Sequence, residues 1–224
     1  MNIVQKYKGV LSELSSDVQL VCVSKNHSEE DILQLYGCGQ KIFGENKVQE
    51  LVSKYNHLPN DIKWHLIGHL QSNKVKYIAP FITLIQSVDS LKLLSEINRE
   101  AIIHDRVIDC LLQFHIAEEK SKFGLSYDEA SAILNHTSYL EMKNVCIKGV
   151  MGIATYTDNE VQLTEEFRTL HLLFNKLKNE FFLHSAEFKE ISMGMSDDYK
   201  IAIKEGSTMV RLGSCIFGQR NYSL

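Results

Sequence analysis

Eight short apolar or β-branched runs alternate with stretches of helical period, and this alternation restricts the possible folds more than any other feature of the chain. The runs are LVCVS (20–24), KIFG (41–44), WHLIG (64–68), TLIQSV (83–88), CLLQFHI (110–116), VCIKGVMGI (145–153), FKEISMG (188–194) and TMVRLG (208–213). Between them lie segments such as SEEDILQLYGCG (28–39), where Ser28 suits a helix cap and Gly37 and Gly39 suit a stop. A leading segment places Ile3, Val4, Tyr7, Val10, Leu11 and Leu14 at helical spacing. Strand–helix alternation implies a parallel sheet. Eight repeats fit a closed (β/α)8 barrel of the TIM type better than an open doubly wound sheet. The expectation is an α/β barrel with an extra N-terminal helix. With only Pro59 and Pro80 and no linker or low-complexity tract, residues 1–224 read as one domain.

Composition narrows the function classes. A net charge of -4 gives no footprint for nucleic acid or for an anionic membrane. Lysines and acids alternate along the helical stretches and read as solvated faces. The five cysteines, Cys22, Cys38, Cys110, Cys146 and Cys215, form no C-x-x-C pair. Cys22, Cys110, Cys146 and Cys215 read as lying in apolar, strand-like runs. Free thiols fit a reducing cytosol, so a cytoplasmic location is expected. The first residues do not read as a signal peptide, and no apolar run has the length of a membrane span.

In barrels of this kind chemistry collects where strands end, on the face built by the strand-to-helix loops. Lys25 sits at the end of the first run. Glu45 and Asn46 follow the second, and His69, Gln71, Ser72 and Asn73 the third. Ser87, Asp89, Thr155 and Thr157 occupy corresponding places. Ser196 and Asp197 follow the seventh run, and Gly213 and Ser214 the eighth.

ISMGMSDD (191–198) leads from a strand into a helix. Gly194 would let the backbone approach a ligand, and Ser196 is a good cap whose hydroxyl and following amides could bind phosphate. The plain alternative is a capping serine and turn glycines. Arg211 interrupts an apolar strand and needs a partner, for which an internal ion pair is one reading. Lys25 is either a solvated loop lysine or a Schiff-base amine. Lysine, phosphate loops and a barrel leave two chemistries open, pyridoxal phosphate binding or a Schiff-base aldolase acting on a sugar phosphate. His65 reads as a core histidine. HLIGH lacks the central glutamate of a zincin, and no metal cluster has credible spacing.

Taken together, VSK (23–25), FGENKVQE (43–50), WHLIGHLQSNK (64–74), SVDS (87–90), GVMGIAT (149–155), SMGMSDD (192–198) and GSTMVRLGSCIFGQR (206–220) resemble the YggS/PROSC family, the pyridoxal phosphate homeostasis proteins. The resemblance runs through nearly the whole chain in the family's order. It implies the barrel of fold-type III enzymes, as in the N-terminal domain of bacterial alanine racemases. It implies that Lys25 holds pyridoxal 5'-phosphate as an aldimine and that Ser196, Gly213 and Ser214 bind the phosphate. Arg211 matches the arginine facing the pyridine nitrogen, and Asn46 a cofactor-proximal asparagine.

Asn26-His27 departs from the Thr-Lys that many members carry, and His69 falls at a variable position and receives no role. EEKSKFG (118–124) keeps the lysine–glycine character of the family's loop. The chain stops just after FGQR, where alanine racemases continue into a β domain. A protonated arginine opposite the ring nitrogen weakens the ring as an electron sink. The implied function is cofactor homeostasis by a monomeric carrier or regulator without turnover, with effects on amino- and keto-acid balance. Pyridoxal phosphate-dependent apoenzymes would be the acceptors. A weak amino-acid racemase or Schiff-base lyase is the alternative.

Overall fold

A computed structural model describes residues 2–119 and 123–218. The chain opens with α1 (Ile3–Glu13), followed by β1 (Gln19–Val23), α2 (Glu29–Gly37), β2 (Ile42–Glu45), α3 (Val48–His57) and β3 (Lys63–Leu66). A single 3-10 turn (Ser72–Lys74) runs into α4 (Val75–Ile78), then β4 (Leu84–Val88), α5 (Leu91–Ile103) and β5 (Ile108–Phe114). Next come α6 (Tyr127–Leu134), α7 (Thr137–Leu140), β6 (Val145–Gly152), α8 (Glu160–Phe181), β7 (Glu190–Ser192), α9 (Tyr199–Lys204), β8 (Met209–Leu212) and α10 (Ser214–Phe217). The strands pair in chain order, all parallel, and β8 returns to β1 to close the barrel.

The local sequence explains most boundaries. Ser28 Oγ accepts from the Asp31 amide at the start of α2, and Ser90 and Asn159 cap α5 and α8 in the same way. Ser126 and Glu129 close a reciprocal capping box on α6. Between β3 and β4, residues 72–81 form only one 3-10 turn and one α turn, with Pro80 just beyond.

Two layers of apolar packing result. The larger lies between strands and helices and includes Phe43, Trp64, Leu66, Ile97, Phe114 and Phe167. A separate cluster of Val21, Leu84, Leu111, Met151 and Met209 fills the barrel axis. Residues two apart on a strand share a face, so Gln86 and Arg211 follow Leu84 and Met209 into the interior toward the mouth.

α1 packs Tyr7 and Val10 fully, with Ile3 and Leu14 partly covered. Burial of such side chains contributes about 1.5–3 kcal/mol each. Leu11, expected on the same face, is instead 40% exposed, because it falls beside rather than on the stripe that meets the barrel. Cys215 lies in α10 and not in a strand, and all five cysteines are free. Among the described residues, no helix is long and apolar enough to cross a membrane.

Candidate functional site

A cavity of about 520 Å³ opens at the C-terminal ends of the strands. Lys25, Asn46, Ser196, Arg211, Gly213 and Ser214 all line it, brought together from the loops after β1, β2, β7 and β8 and from β8 itself. Thr155 and Asp197 line it as well, whereas Glu45, His69, Gln71, Ser72, Asn73, Ser87 and Asp89 do not. His69 borders a neighbouring cavity of about 320 Å³, stacked on Phe123 with its Nδ1 3.5 Å from Asp89. Lys120–Lys122, the centre of EEKSKFG, lie outside the described residues, as do positions 219–224, the end of the last matched stretch.

Ser196 does not cap the helix that follows it. α9 begins at Tyr199, and Asp198 closes the preceding turn by accepting from the Met195 amide at 2.6 Å. Ser196 Oγ points across to the next loop, where it accepts from the amides of Gly213 at 3.2 Å and Cys215 at 3.3 Å. Two backbone donors therefore converge on one oxygen at the cavity wall, an arrangement suited to an anion. Gly194 adopts φ +97, and a Cβ there would lie 2.7 Å from that of Ala202. Its smallness serves the packing of α9 rather than a ligand.

Arg211 is buried on β8, and its hydrogen-bond partners among the described residues are neutral. It donates to Ser192 Oγ at 2.7 Å and to the Gly152 carbonyl at 2.9 Å. The internal ion pair considered for it is thus replaced by a polar relay. Ser192 Oγ donates to Gln86 Oε1 at 2.7 Å, and Gln86 Nε2 lies 3.0 Å from His65 Nδ1. Burial pushes His65 down to about 3, so the ring is neutral and its Nδ1 accepts from Gln86. Burial also pushes Arg211 down to about 10, opposed by the Asp198 carboxylate, so it stays cationic at neutral pH. A cation held by neutral partners keeps its charge for a ligand in the cavity.

The turn bearing Lys25 is held from below. Lys54, one of the lysines read as a solvated helix face, is buried, and its Nζ donates to the Ser24 carbonyl, Glu45 Oε1 and Glu50 Oε1 at 2.7, 2.8 and 2.7 Å. Glu45 is the last residue of β2 rather than part of the loop after it, and it is fully buried. Neither this group nor the relay is visible as a motif. The available hints were a glutamine and a serine inside apolar strand runs, and a lysine four residues after Glu50.

Gly68, after β3, borders the neighbouring cavity and packs behind Asn46 by close approach. A Cβ on it would lie 2.5 Å from the Asn46 carbonyl oxygen, so the glycine is what lets Asn46 sit at the cavity.

Comparison with known proteins agrees with this geometry. The family model described as alanine racemase, N-terminal domain, matches residues 2–221. A pyridoxal phosphate homeostasis protein of Aquifex aeolicus is 38% identical over 205 residues, covering 91% of this chain and 88% of its own. The human protein of that name is 36% identical over 215 residues, covering 92% and 78%. The structure of PipY from Synechococcus elongatus with PLP bound superposes with a TM-score of 0.86 at 32% identity, over 97% of this chain and all of that one. An alanine racemase of Clostridium difficile shares the fold at 12% identity, with a TM-score of 0.80 over 99% of this chain and 61% of its own. On sequence and on barrel geometry alike, the chain belongs to the family of pyridoxal phosphate homeostasis proteins, within the wider group defined by the alanine racemase N-terminal domain.

Proposed function

We propose that this protein binds pyridoxal 5'-phosphate in the 520 Å³ cavity and serves the cell's supply of that cofactor as a carrier or regulator rather than as an enzyme. One observation carries the reading. A lysine and a buried arginine with neutral partners face one cavity beside a serine hydroxyl on which two backbone amides converge, a set that fits an aldehyde, a ring nitrogen and a phosphate. The cofactor named with the Synechococcus relative, and the name shared by the other relatives, support it.

When bound, the cofactor supplies an aldehyde that condenses with a primary amine and releases water. Lys25 is the amine at this cavity. Ser196, Gly213 and Ser214 would hold the phosphate, Asn46 would border the ring and Arg211 would face its nitrogen. Because Arg211 remains cationic at neutral pH, a nitrogen opposite it would not take up a proton. An unprotonated ring withdraws electrons from the α-carbon of an amino acid less strongly than a protonated one. This weakens, without abolishing, racemase or lyase chemistry at the site. The protein acts as a monomer, handing its cargo to cofactor-dependent apoenzymes.

The test is a visible absorption spectrum before and after borohydride reduction, followed by peptide mapping. The expected result is a band that reduction removes, with the pyridoxyl label on Lys25 and no other lysine at comparable yield. Lys25→Ala should lose the band and keep the circular dichroism of the barrel, because the side chain lies at the mouth and not in the packed axis. Label chiefly on another lysine, such as Lys74, would refute the site. Exchange of the α-proton of alanine in deuterated water, catalysed at a rate lost in Lys25→Ala, would replace the carrier reading with the racemase one.

A further inference from the structure

We propose that Glu45, Glu50 and Lys54 form a buried charged clamp whose role is to position Lys25 for attachment to an aldehyde ligand, a role beyond the cavity-lining residues themselves. The inference rests on the cofactor reading above and extends it to residues that do not line the cavity.

The clamp grips the chain on both sides of Lys25. On the N-terminal side, Ser24 is fully buried and engaged at every polar group. Its amide donates to the Gly44 carbonyl, its hydroxyl donates to Glu45 Oε1 at 2.6 Å, and its carbonyl accepts from Lys54 Nζ at 2.7 Å. On the C-terminal side, the amide of Asn26 donates to Glu50 Oε1 at 2.6 Å. Asn26 has φ +62, a left-handed conformation that asparagine tolerates better than most residues. A further tie closes the turn, from the His27 amide to the Ser24 carbonyl at 3.0 Å. The residues before and after Lys25 are therefore fixed by charged partners on β2 and α3, while Lys25 faces the cavity.

Burying these charges has a cost that stability alone does not explain. Removing carboxylate and ammonium groups from water costs several kcal/mol per ion, and well-packed apolar replacements are often neutral or stabilising. Here Glu45 and Lys54 are almost wholly buried, Glu50 is four-fifths buried, and two carboxylates share one ammonium. Glu45 Oε2 has no hydrogen-bond partner among the described residues. Burial pushes the Glu45 carboxyl up, against the pull of Lys54 and Ser24. What the arrangement provides is direction. Lys54 spends its three N–H groups on one backbone carbonyl and two carboxylates, and the carboxylates reach the residues flanking Lys25. Attachment joins the Lys25 nitrogen to the aldehyde carbon and releases one water, so it depends on where that nitrogen is held. A misplacement of about 1 Å in such a step costs on the order of 10²-fold in rate.

The experiment compares Glu50→Ala, Glu50→Gln and Lys54→Met with the unaltered protein. Three quantities are read in each: the rate at which the pyridoxal phosphate band forms, the affinity for 4-deoxypyridoxine 5'-phosphate, which lacks the aldehyde, and amide exchange at Asn26 without ligand. Glu50→Ala and Lys54→Met should slow attachment about tenfold or more, with analogue affinity within about twofold. Exchange at Asn26 should rise in Glu50→Ala. Glu50→Gln keeps an oxygen for the Asn26 amide and should recover most of the attachment rate. If Lys54→Met does not fold, Glu50→Ala decides, since Glu50 reaches partly to solvent. Attachment at the unaltered rate in folded Glu50→Ala would overturn the proposal. So would an equal loss of analogue affinity, which would mean that the network shapes the cavity rather than the lysine. Absence of the Lys25 label in the unaltered protein would sink the cofactor reading instead, and the Asn26 exchange rate then decides whether the clamp holds the turn.

Discussion

Ser196 shows how one side chain can be recognised in sequence and still be given the wrong local task. Its position between a strand and a helix suits a cap, yet its oxygen serves the neighbouring turn, accepting from the Gly213 and Cys215 amides. The hydroxyl organises two donors and keeps a third hydrogen-bonding direction of its own. Replacing it by alanine removes an acceptor from two amides that water can still reach at the cavity wall, so the barrel should remain folded. A phosphate ester bound there is anionic, so the hydrogen bond it loses is charge-assisted, worth about 1.5–3 kcal/mol. Ser196→Ala should therefore weaken cofactor affinity by about ten- to a hundredfold in equilibrium dialysis. An unchanged dissociation constant would place the phosphate elsewhere.

At the scale of elements, the barrel interior carries a polar line from β3 through β4 and β7 to β8, and it gives stability a pH dependence. His65 has an ordinary value of 6.5 and is pushed down to about 3 by burial. Between these values the unfolded chain binds a proton that the native chain does not. Stability from this group is complete above about pH 6.5 and falls as pH drops toward 3, by about 1.4 kcal/mol per pH unit. His65→Asn offers Gln86 an acceptor that does not titrate. Its urea-unfolding free energy should fall less steeply between pH 6 and pH 4 than that of the unaltered protein, by about that slope, whatever its absolute stability. Parallel slopes would show that His65 is protonated in the fold. This line also marks where sequence reading stops. All eight strands were legible, because strands announce themselves by local apolar runs; their ends placed Lys25, Asn46, Ser196, Gly213 and Ser214 at the mouth together with seven residues that do not line the cavity, and only the family resemblance picked the former out and added Arg211 from within β8. The relay joins His65 to Gln86 and Gln86 to Ser192 across 21 and 106 residues, and no local pattern encodes such a register. Lys54 misled for the related reason that a helix face looks solvated until a neighbouring loop covers it.

For the molecule as a whole, the cavity draws on connections after β1, β2, β6, β7 and β8, so a ligand there ties the chain's early strands to its late ones. β7 is the shortest strand, three residues long, and its junction with β8 is continued by bonds from Thr208 to Ile191, from Met193 to Met209 and from Arg211 to Gly194. Phosphate held between Ser196 and Gly213 would brace this junction at its open end. In the unfolded chain any lysine can still react with the aldehyde, but the convergent amides and the buried arginine exist only in the fold. Ligand at about one hundred times its dissociation constant should therefore raise the unfolding free energy by up to about 2.7 kcal/mol, less whatever the unfolded chain retains. The urea midpoint should rise while the slope of the transition stays constant. Lys25→Ala should keep a smaller rise, since the phosphate and ring contacts survive. Amide exchange should slow chiefly over residues 190–217 and at the end of β1, with little change over α5, α6 and α7 on the far side of the barrel. Protection spread evenly over all eight strands, or a midpoint indifferent to the cofactor, would mean that the ligand does not bind across this seam.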